Sequence, residues 1–372
     1  KRGKTGYYPT VTANATWTHQ ETSKNSQFGR LFSQIDQYQL SANLAWEADI
    51  WGKIRSNKRA TAASYLQSLS STKAIQAQIV ASVASVYYQI TSLDAQLIIA
   101  EKTMENRDQS IEVIKALKDG GTVNEVGVKQ TEAQKLATQI IIEDLKYNIK
   151  VLENTLSILL GNTPGDIQRS TIDQQNIAID IKQGVPATLL ANRADLIAAE
   201  YALMNTFELT NIARSNFYPS FTINATTGFQ SLELDKLLDA NSIFANIITG
   251  LAQPIFNGRQ VKTNYEIAKA NQQKAFLQYE KTYLEATKEV ANAFASYQNE
   301  TTKLEIREQQ VEKLTKAVEF SDELLNHGMV NYLEVITAKD NALNAELALV
   351  DNKYKQLNAL ITLYRALGGG WK

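Results

Sequence analysis

The chain has 372 residues, with 38 Lys and Arg against 39 Asp and Glu, so no basic surplus points to nucleic acid. It has no cysteine, which excludes disulfides, thiol catalysis and cysteine metal sites, and only 5 prolines, which suits long unbroken helices. No apolar run approaches the roughly 18–20 residues that a membrane-spanning helix needs, so a helical membrane protein is excluded. A β-barrel is not, because its lipid-facing residues alternate with polar ones.

The first elements are strands. Over residues 8–17, Val11, Ala13, Ala15 and Trp17 point one way while Thr10, Thr12, Asn14 and Thr16 point the other. Residues 38–48 repeat the pattern, with Tyr38, Leu40, Ala42, Leu44 and Trp46 against Gln39, Ser41, Asn43 and Glu47. Polar loops are expected over 18–37 and later over 230–242. The faces allow two readings: a soluble sandwich with one wet face, or a barrel with lipid outside and water inside. Tyr7, Tyr8, Trp51, Phe217, Tyr218 and Phe256 lie near strand ends, where membrane-interface aromatics sit in barrels.

After Trp51-Gly52 the period becomes helical to about Lys118. Ile75, Ile79, Val83, Val86, Ile90, Leu93 and Leu97 step by fours and threes, which is coiled-coil spacing. Such a helix is about 100 Å long at 1.5 Å per residue. Asp119-Gly120-Gly121 breaks it, and a return helix runs from about Asn124 to Leu160. An irregular connector is expected over 163–186, then a helix over 187–215 and strands over about 217–229 and 243–256. A second long helix starts near Arg259, with Leu304, Val311, Leu314, Val318 and Leu325 in heptad register, and breaks at His327-Gly328. Its return helix ends at Leu367.

The chain is thus written twice. Tyr7-Tyr8-Pro9-Thr10 reappears as Phe217-Tyr218-Pro219-Ser220, 210 residues later; Gly121-x-Val123-Asn124 reappears as Gly328-x-Val330-Asn331, 207 residues later. A repeat this long is a duplicated structural unit. Residues 1–162 form the first repeat and 187–372 the second, each with two strands and a long helical hairpin. The second is preceded by a helix, so the repeat logic expects roughly 50 residues or more before Lys1. The start without Met reads as processed or missing.

Four strands cannot close a barrel, and lipid tolerates no open sheet edge. If the strands lie in a membrane, several copies must share one barrel; three copies give twelve strands and a water-filled lumen, continued by a tube of long helices pinched at the glycine turns. The fold class is therefore mostly α with a small β part, and a conduit is the use that fits it.

Here the residues resemble a known family. Leu44-Ala45-Trp46-Glu47-Ala48-Asp49-Ile50-Trp51-Gly52-Lys53-Ile54-Arg55 resembles the strand-to-helix signature of TolC-like outer-membrane efflux proteins, in the branch that serves resistance-nodulation-division pumps. Similar stretches are Gly184-Val185-Pro186 through Arg193-Ala194-Asp195, Ala213-Arg214 through Ser220, Gln253-Pro254-Ile255-Phe256-Asn257-Gly258, Gly328 through Val335, and Leu363-Tyr364-Arg365-Ala366-Leu367-Gly368-Gly369-Gly370-Trp371. The resemblance implies a homotrimer in the Gram-negative outer membrane, with a twelve-stranded β-barrel continued by a periplasmic α-helical coiled-coil barrel. It implies a passive, gated exit duct of a tripartite pump for drugs or other small solutes. Its partners would be a periplasmic adaptor and an inner-membrane transporter. No cofactor and no enzyme activity are expected. Many members of this branch carry a lipidated N-terminal cysteine; that anchor is left open here.

The resemblance places the adaptor-docking tips at Gly120, Gly121, Val123, Asn124, Gly328, Val330, Asn331 and Tyr332. Relatives often have Asp near the pore tip where this chain has Thr337, so the periplasmic gate candidates are Glu125, Glu334, Thr337 and Asp340, since a ring of like charges at a constriction can select and gate. Ala194 stands where the family often has Pro, which should alter helix entry only. Two other readings stay in view: a duct for type I protein secretion, and a structural coiled-coil stalk with a soluble head. His19 and His327, 308 residues apart, are expected to be solvated rather than to share a site, and Glu47 and Asp49 to sit on the water-facing side of a strand.

Overall fold

The computed structural model describes residues 2–25, 34–175 and 192–371. Two strands, β1 (Thr10–Glu21) and β2 (Gln34–Ala48), lead into helix α1 (Lys53–Asp119) and helix α2 (Glu125–Leu159). After the connector come α3 (Ala194–Ser215), β3 (Ser220–Ser231), β4 (Ile243–Ala252), α4 (Gln260–Asn326) and α5 (Tyr332–Ala366). The long helices α1 and α4 have 67 residues each, and the return helices α2 and α5 have 35 each. No helix among the described residues is long and apolar enough to cross a membrane.

The chain folds as two compact units, each drawing on both halves of the sequence. One comprises Lys1–Ser70 and Ile197–Thr282; the other comprises Ser71–Leu196 and Tyr283–Lys372.

The first unit holds a four-stranded antiparallel sheet in the order β1-β2-β3-β4. Its register carries the alternation of each strand onto common faces. Val11 pairs with Leu44, Leu44 with Ala225 and Ala225 with Ile247; Ala15, Leu40, Phe229 and Ile243 form a second apolar row. The opposite face carries Thr12, Asn43, Thr226 and Asn246, where Thr226 Oγ1 donates to Asn43 Oδ1 at 2.7 Å. Gly228 leaves no room for a side chain against β2: a Cβ there would lie 2.0 Å from the Leu40 carbonyl oxygen. β1 and β4 are the sheet edges, and neither has a second partner strand within the described chain.

Some boundaries differ from expectation for clear reasons. β3 begins at Ser220, because the amides of Phe217 and Tyr218 bond back to Arg214 and Ser215 and Pro219 has no N–H. β4 stops at Ala252, just before Pro254. α3 begins at Ala194, while residues 187–191 of the expected helix lie outside the described residues, as does most of the 163–186 connector beyond Gln175. Asp49 is not a strand residue. Its carboxylate accepts the amides of Ile54 (2.8 Å) and Arg55 (3.0 Å), satisfying two of the orphan donors at the start of α1. Glu47 does lie on the polar face, paired with Lys53 at 3.1 Å. His19 is exposed, as expected, and its Nδ1 also shares a 2.9 Å hydrogen bond with Asp36, which accepts from the Trp17 indole.

In the second unit, α2 and α5 bury one face. Ile90, Ile149 and Leu156 form one cluster with Val83, Val86, Leu93 and Leu97 packed on it; Ala100, Ile142 and Leu145 form another. The heptad stripe of α4 (Leu304, Val311, Leu314, Val318, Leu325) is half-buried. The connector is clamped by Arg169, which donates to Asp94, to Glu153 at 2.6 Å and to the carbonyl of Ile167, two residues back, at 2.8 Å. These acceptors hold its guanidinium firmly charged, the Asp94 hydrogen bond foremost.

Candidate functional site

Both hairpin turns are built in the same way. α1 ends with Gly121 at φ 76°, Gly121 N–H donating to Lys118 and Thr122 N–H to Leu117. α4 ends with Gly328 at φ 69°, Gly328 N–H donating to Leu325 and Met329 N–H to Leu324. This pair of reverse bonds is the Schellman arrangement, and its left-handed residue favours glycine. Gly120 lies one position earlier and donates to Ala116. Each return helix then starts on an asparagine cap. Asn124 Oδ1 accepts from Gly127 and Asn331 Oδ1 accepts from Leu333, both at 3.2 Å.

The turns carry a small core. Ile114, Val128, Tyr332 and Ile336 are buried together, with Val123 and Leu325 packed against them. Val330 is half-buried. Tyr332 is 6% exposed, and its hydroxyl meets Thr131 Oγ1 at 3.3 Å. Burial pushes the Tyr332 phenol up, against hydrogen bonds from Thr131 and Ser110. Tyr332 thus packs the tips of both hairpins rather than standing free. Gly127, which the sequence pattern did not single out, is needed here: a Cβ would lie 2.7 Å from Val123 Cγ1.

The gate candidates fall into different environments. Asp340 is tied to a buried arginine. Arg107 NH2 donates to Asp340 Oδ1 at 2.5 Å, Arg107 NH1 donates to Gln134 Oε1 at 2.9 Å, and Gln134 Nε2 donates to Asp340 Oδ2 at 2.5 Å. The network therefore joins α1, α2 and α5. Arg107 Nε is buried without a hydrogen-bond partner. Beside it, Lys339 pairs with Asp322 at 2.9 Å, joining α5 to α4. Glu125 pairs with Lys118 at 2.6 Å across the first turn, and the Lys118 hydrogen bond holds its carboxyl below the usual range. Glu334 lies exposed in the first turn of α5. Thr337 turns its hydroxyl back to the Leu333 carbonyl, a bond internal to the helix. Arg107, Gln134 and Lys339 escaped the sequence reading; the available signal was an Arg far from the ends of a long helix, 48 residues after the preceding Arg59.

The aromatic candidates are all exposed, from Tyr7 at 38% to Phe256 at 90%. Trp51 stacks on Tyr218 with centroids 4.7 Å apart and donates its indole N–H to the Pro219 carbonyl at 2.7 Å. Phe217 meets Tyr265 edge-on at 5.6 Å. Among the described residues there is no group of three or more His, Asp or Glu placed to hold a metal ion.

Comparison with known proteins gives these features a family. The description "Outer membrane efflux protein" fits residues 3–162 and 185–369, which is most of the chain and includes every candidate above. The chain belongs to the outer membrane efflux protein family. It is 28% identical over 337 residues to the cation efflux system protein CusC of Escherichia coli, covering 90% of this chain and 73% of that one. It is 29% identical over 338 residues to the toluene efflux pump outer membrane protein TtgF of Pseudomonas putida, covering 90% and 70%. The crystal structure of the outer membrane protein VceC from Vibrio cholerae shares the fold at a TM-score of 0.93 and 24% identity, over 100% of this chain and 89% of that one. Crystal structures of CusC match at a TM-score of 0.91 and 26% identity, over 99% and 85%. As an outer membrane efflux protein the chain is an outer-membrane protein, mostly helical with a small sheet, and its family is one of efflux channels rather than enzymes.

Proposed function

We propose that this chain is the passive exit duct of a tripartite pump, working as a homotrimer. The carrying observation is the sheet: four strands with a coherent apolar face and two open edges, β1 and β4. Open edges cannot persist in lipid. Three copies joined edge to edge give twelve strands enclosing a polar lumen lined by rows such as Thr12, Asn43, Thr226 and Asn246. The repeated helical hairpins continue that barrel as a periplasmic tube. In this reading the turns at Gly120, Gly121, Val123, Asn124, Gly328, Val330 and Asn331 meet a periplasmic adaptor, with Tyr332 packed beneath them as their support; the adaptor links the duct to an inner-membrane transporter that supplies the energy. The cargo is small solutes, chosen by the pump, as the cation and toluene efflux relatives suggest.

The gate is then a latch rather than a ring of free acids. Asp340, held by Arg107 and Gln134, ties the hairpins together near their tips, while Glu334 and Glu125 supply exposed charge. The test is single-channel conductance of detergent-purified protein in a planar bilayer, with its mass measured alongside. A trimer with discrete steps, raised by substitution of Asp340, is expected. A water-soluble particle without conductance would remove the duct and leave a coiled-coil stalk.

A further inference from the structure

The first half of the sheet shows how one strand pair is joined to the next. Within each pair the strand ends are tied alike: the Trp46 indole donates to the Tyr7 carbonyl at 3.1 Å, and Gln253 Nε2 donates to the Phe217 carbonyl at 3.2 Å. Thr10 Oγ1 donates to Ala45 in one pair, and Ser220 Oγ to Ala252 in the other. Between the pairs there is a further joint. The link from β2 to α1 carries Ile50-Trp51, and Trp51 lies on the Phe217-Tyr218-Pro219 turn that precedes β3.

The link from β4 to α4 carries the corresponding pair, Ile255-Phe256, though not at the same spacing from the strand end. Here nothing among the described residues receives it. Ile255 is 101% exposed and Phe256 90%, while Tyr8, on the turn that precedes β1, is 69% exposed. The link is nonetheless held in a defined shape. Gly258 has φ 59°, and Arg259, at φ 66°, is the one non-glycine residue with positive φ among the described residues. A left-handed arginine is a strained conformation that other contacts must support. Two adjacent large apolar side chains on a strained, tethered link mark a surface that something covers.

We infer that a second copy of this chain covers it: Phe256 of one copy stacks on Tyr8 in the Tyr7-Tyr8-Pro9 turn of the next, as Trp51 stacks on Tyr218 within a copy. The inference rests on the trimeric reading above and adds the joint that closes each seam. Tyr7-Tyr8-Pro9 is the repeat counterpart of Phe217-Tyr218-Pro219, and β1 is the strand that β4 must meet to close a barrel. The joint is weaker than its counterpart within the chain in one respect, since the phenylalanine ring has no N–H to give the Pro9 carbonyl as the Trp51 indole gives one to Pro219. These side chains then face protein, whereas the sequence alone places them at the lipid interface.

Because the chain contains no cysteine, Tyr8→Cys and Phe256→Cys can be introduced singly and together, and treated in outer membranes with a short bismaleimide. The double variant is expected to give covalent trimers on a denaturing gel, and neither single variant any. Native mass of each variant is measured in parallel. A trimer that the double variant fails to cross-link overturns this joint and leaves the trimer standing; a monomer overturns both. A bimane label on Phe256→Cys gives an independent reading: strong quenching by brominated lipid overturns the joint, and protection from it supports the joint.

Discussion

Replacing Asp340 by alanine strands the Arg107 guanidinium among α1, α2 and α5. The Arg107 side chain is 9% exposed and that of Asp340 33%. Breaking a fully buried pair by removing one partner costs about 3–5 kcal/mol, because the remaining charge is left uncompensated. Water at the exposed third of Asp340 relieves part of this, so about 2–3 kcal/mol is expected for the local structure. Arg107 keeps only Gln134, and its Nε is already without a partner. Arg107→Met should be much milder, about 1 kcal/mol or less, because it removes the buried charge and leaves a partly wet carboxylate still bonded to Gln134. Amide hydrogen exchange reads both. Protected amides of α1 near 104–114 and of α5 near 335–345 should exchange about 30- to 150-fold faster in Asp340→Ala and no more than about 5-fold faster in Arg107→Met. The same order should hold for open-channel dwell in a bilayer. Equal acceleration in the two variants, or less than about threefold in Asp340→Ala, would refute the latch.

Gly121→Val and Gly328→Val each force a β-branched residue into left-handed backbone, where an ordinary residue already loses about 1–2 kcal/mol. Since neither glycine has an atom within 4 Å of the Cβ position, the penalty is local to the turn; adaptor pull-down should fall while heat-modifiable trimer in the membrane stays normal. Gly228→Ala places a methyl carbon 2.0 Å from the Leu40 carbonyl oxygen between β2 and β3, so it should abolish the heat-modifiable trimer on a semi-native gel while leaving chain synthesis intact. Glu346 is held up from the ordinary carboxyl range by burial, only partly offset by the charge of Lys102. A raised folded value means the folded state disfavours the ionised form above it and recovers as pH falls through it. Glu346→Gln should therefore raise the melting temperature at neutral pH, and the gain should disappear below the ordinary glutamate range; a gain that persists at low pH would count against burial as the cause.

What the sequence disclosed follows from what is local. Gly121, Gly328, Asn124 and Asn331 could be read as turns and caps because their backbone conformation and cap bonds depend on few neighbours. Strand alternation was legible for the same reason, and the observed register merely had to bring Val11, Leu44, Ala225 and Ile247 onto one face. Asp49 was misplaced because alternation says nothing about where a strand yields to a helix cap. The partners of Asp340 were out of reach, since Arg107 lies 233 residues away and its pairing depends on which faces of α1 and α5 meet. The burial of Tyr332 was hidden for the same reason: its core includes Ile114 and Val128 from the other half of the chain.

The return helices α2 and α5 are each 35 residues long, a whole number of seven-residue steps. Inserting one residue into such a helix turns everything beyond it by about 100°, given 3.6 residues per turn, and takes the apolar stripe off its partner. Inserting seven leaves the stripe nearly in place. An engineer wishing to lengthen this hairpin should therefore add heptads, to the outgoing and return arms together and in both halves at once. Descendants of the chain should show the same arithmetic, with gaps in these helices falling in sevens and in matched sets.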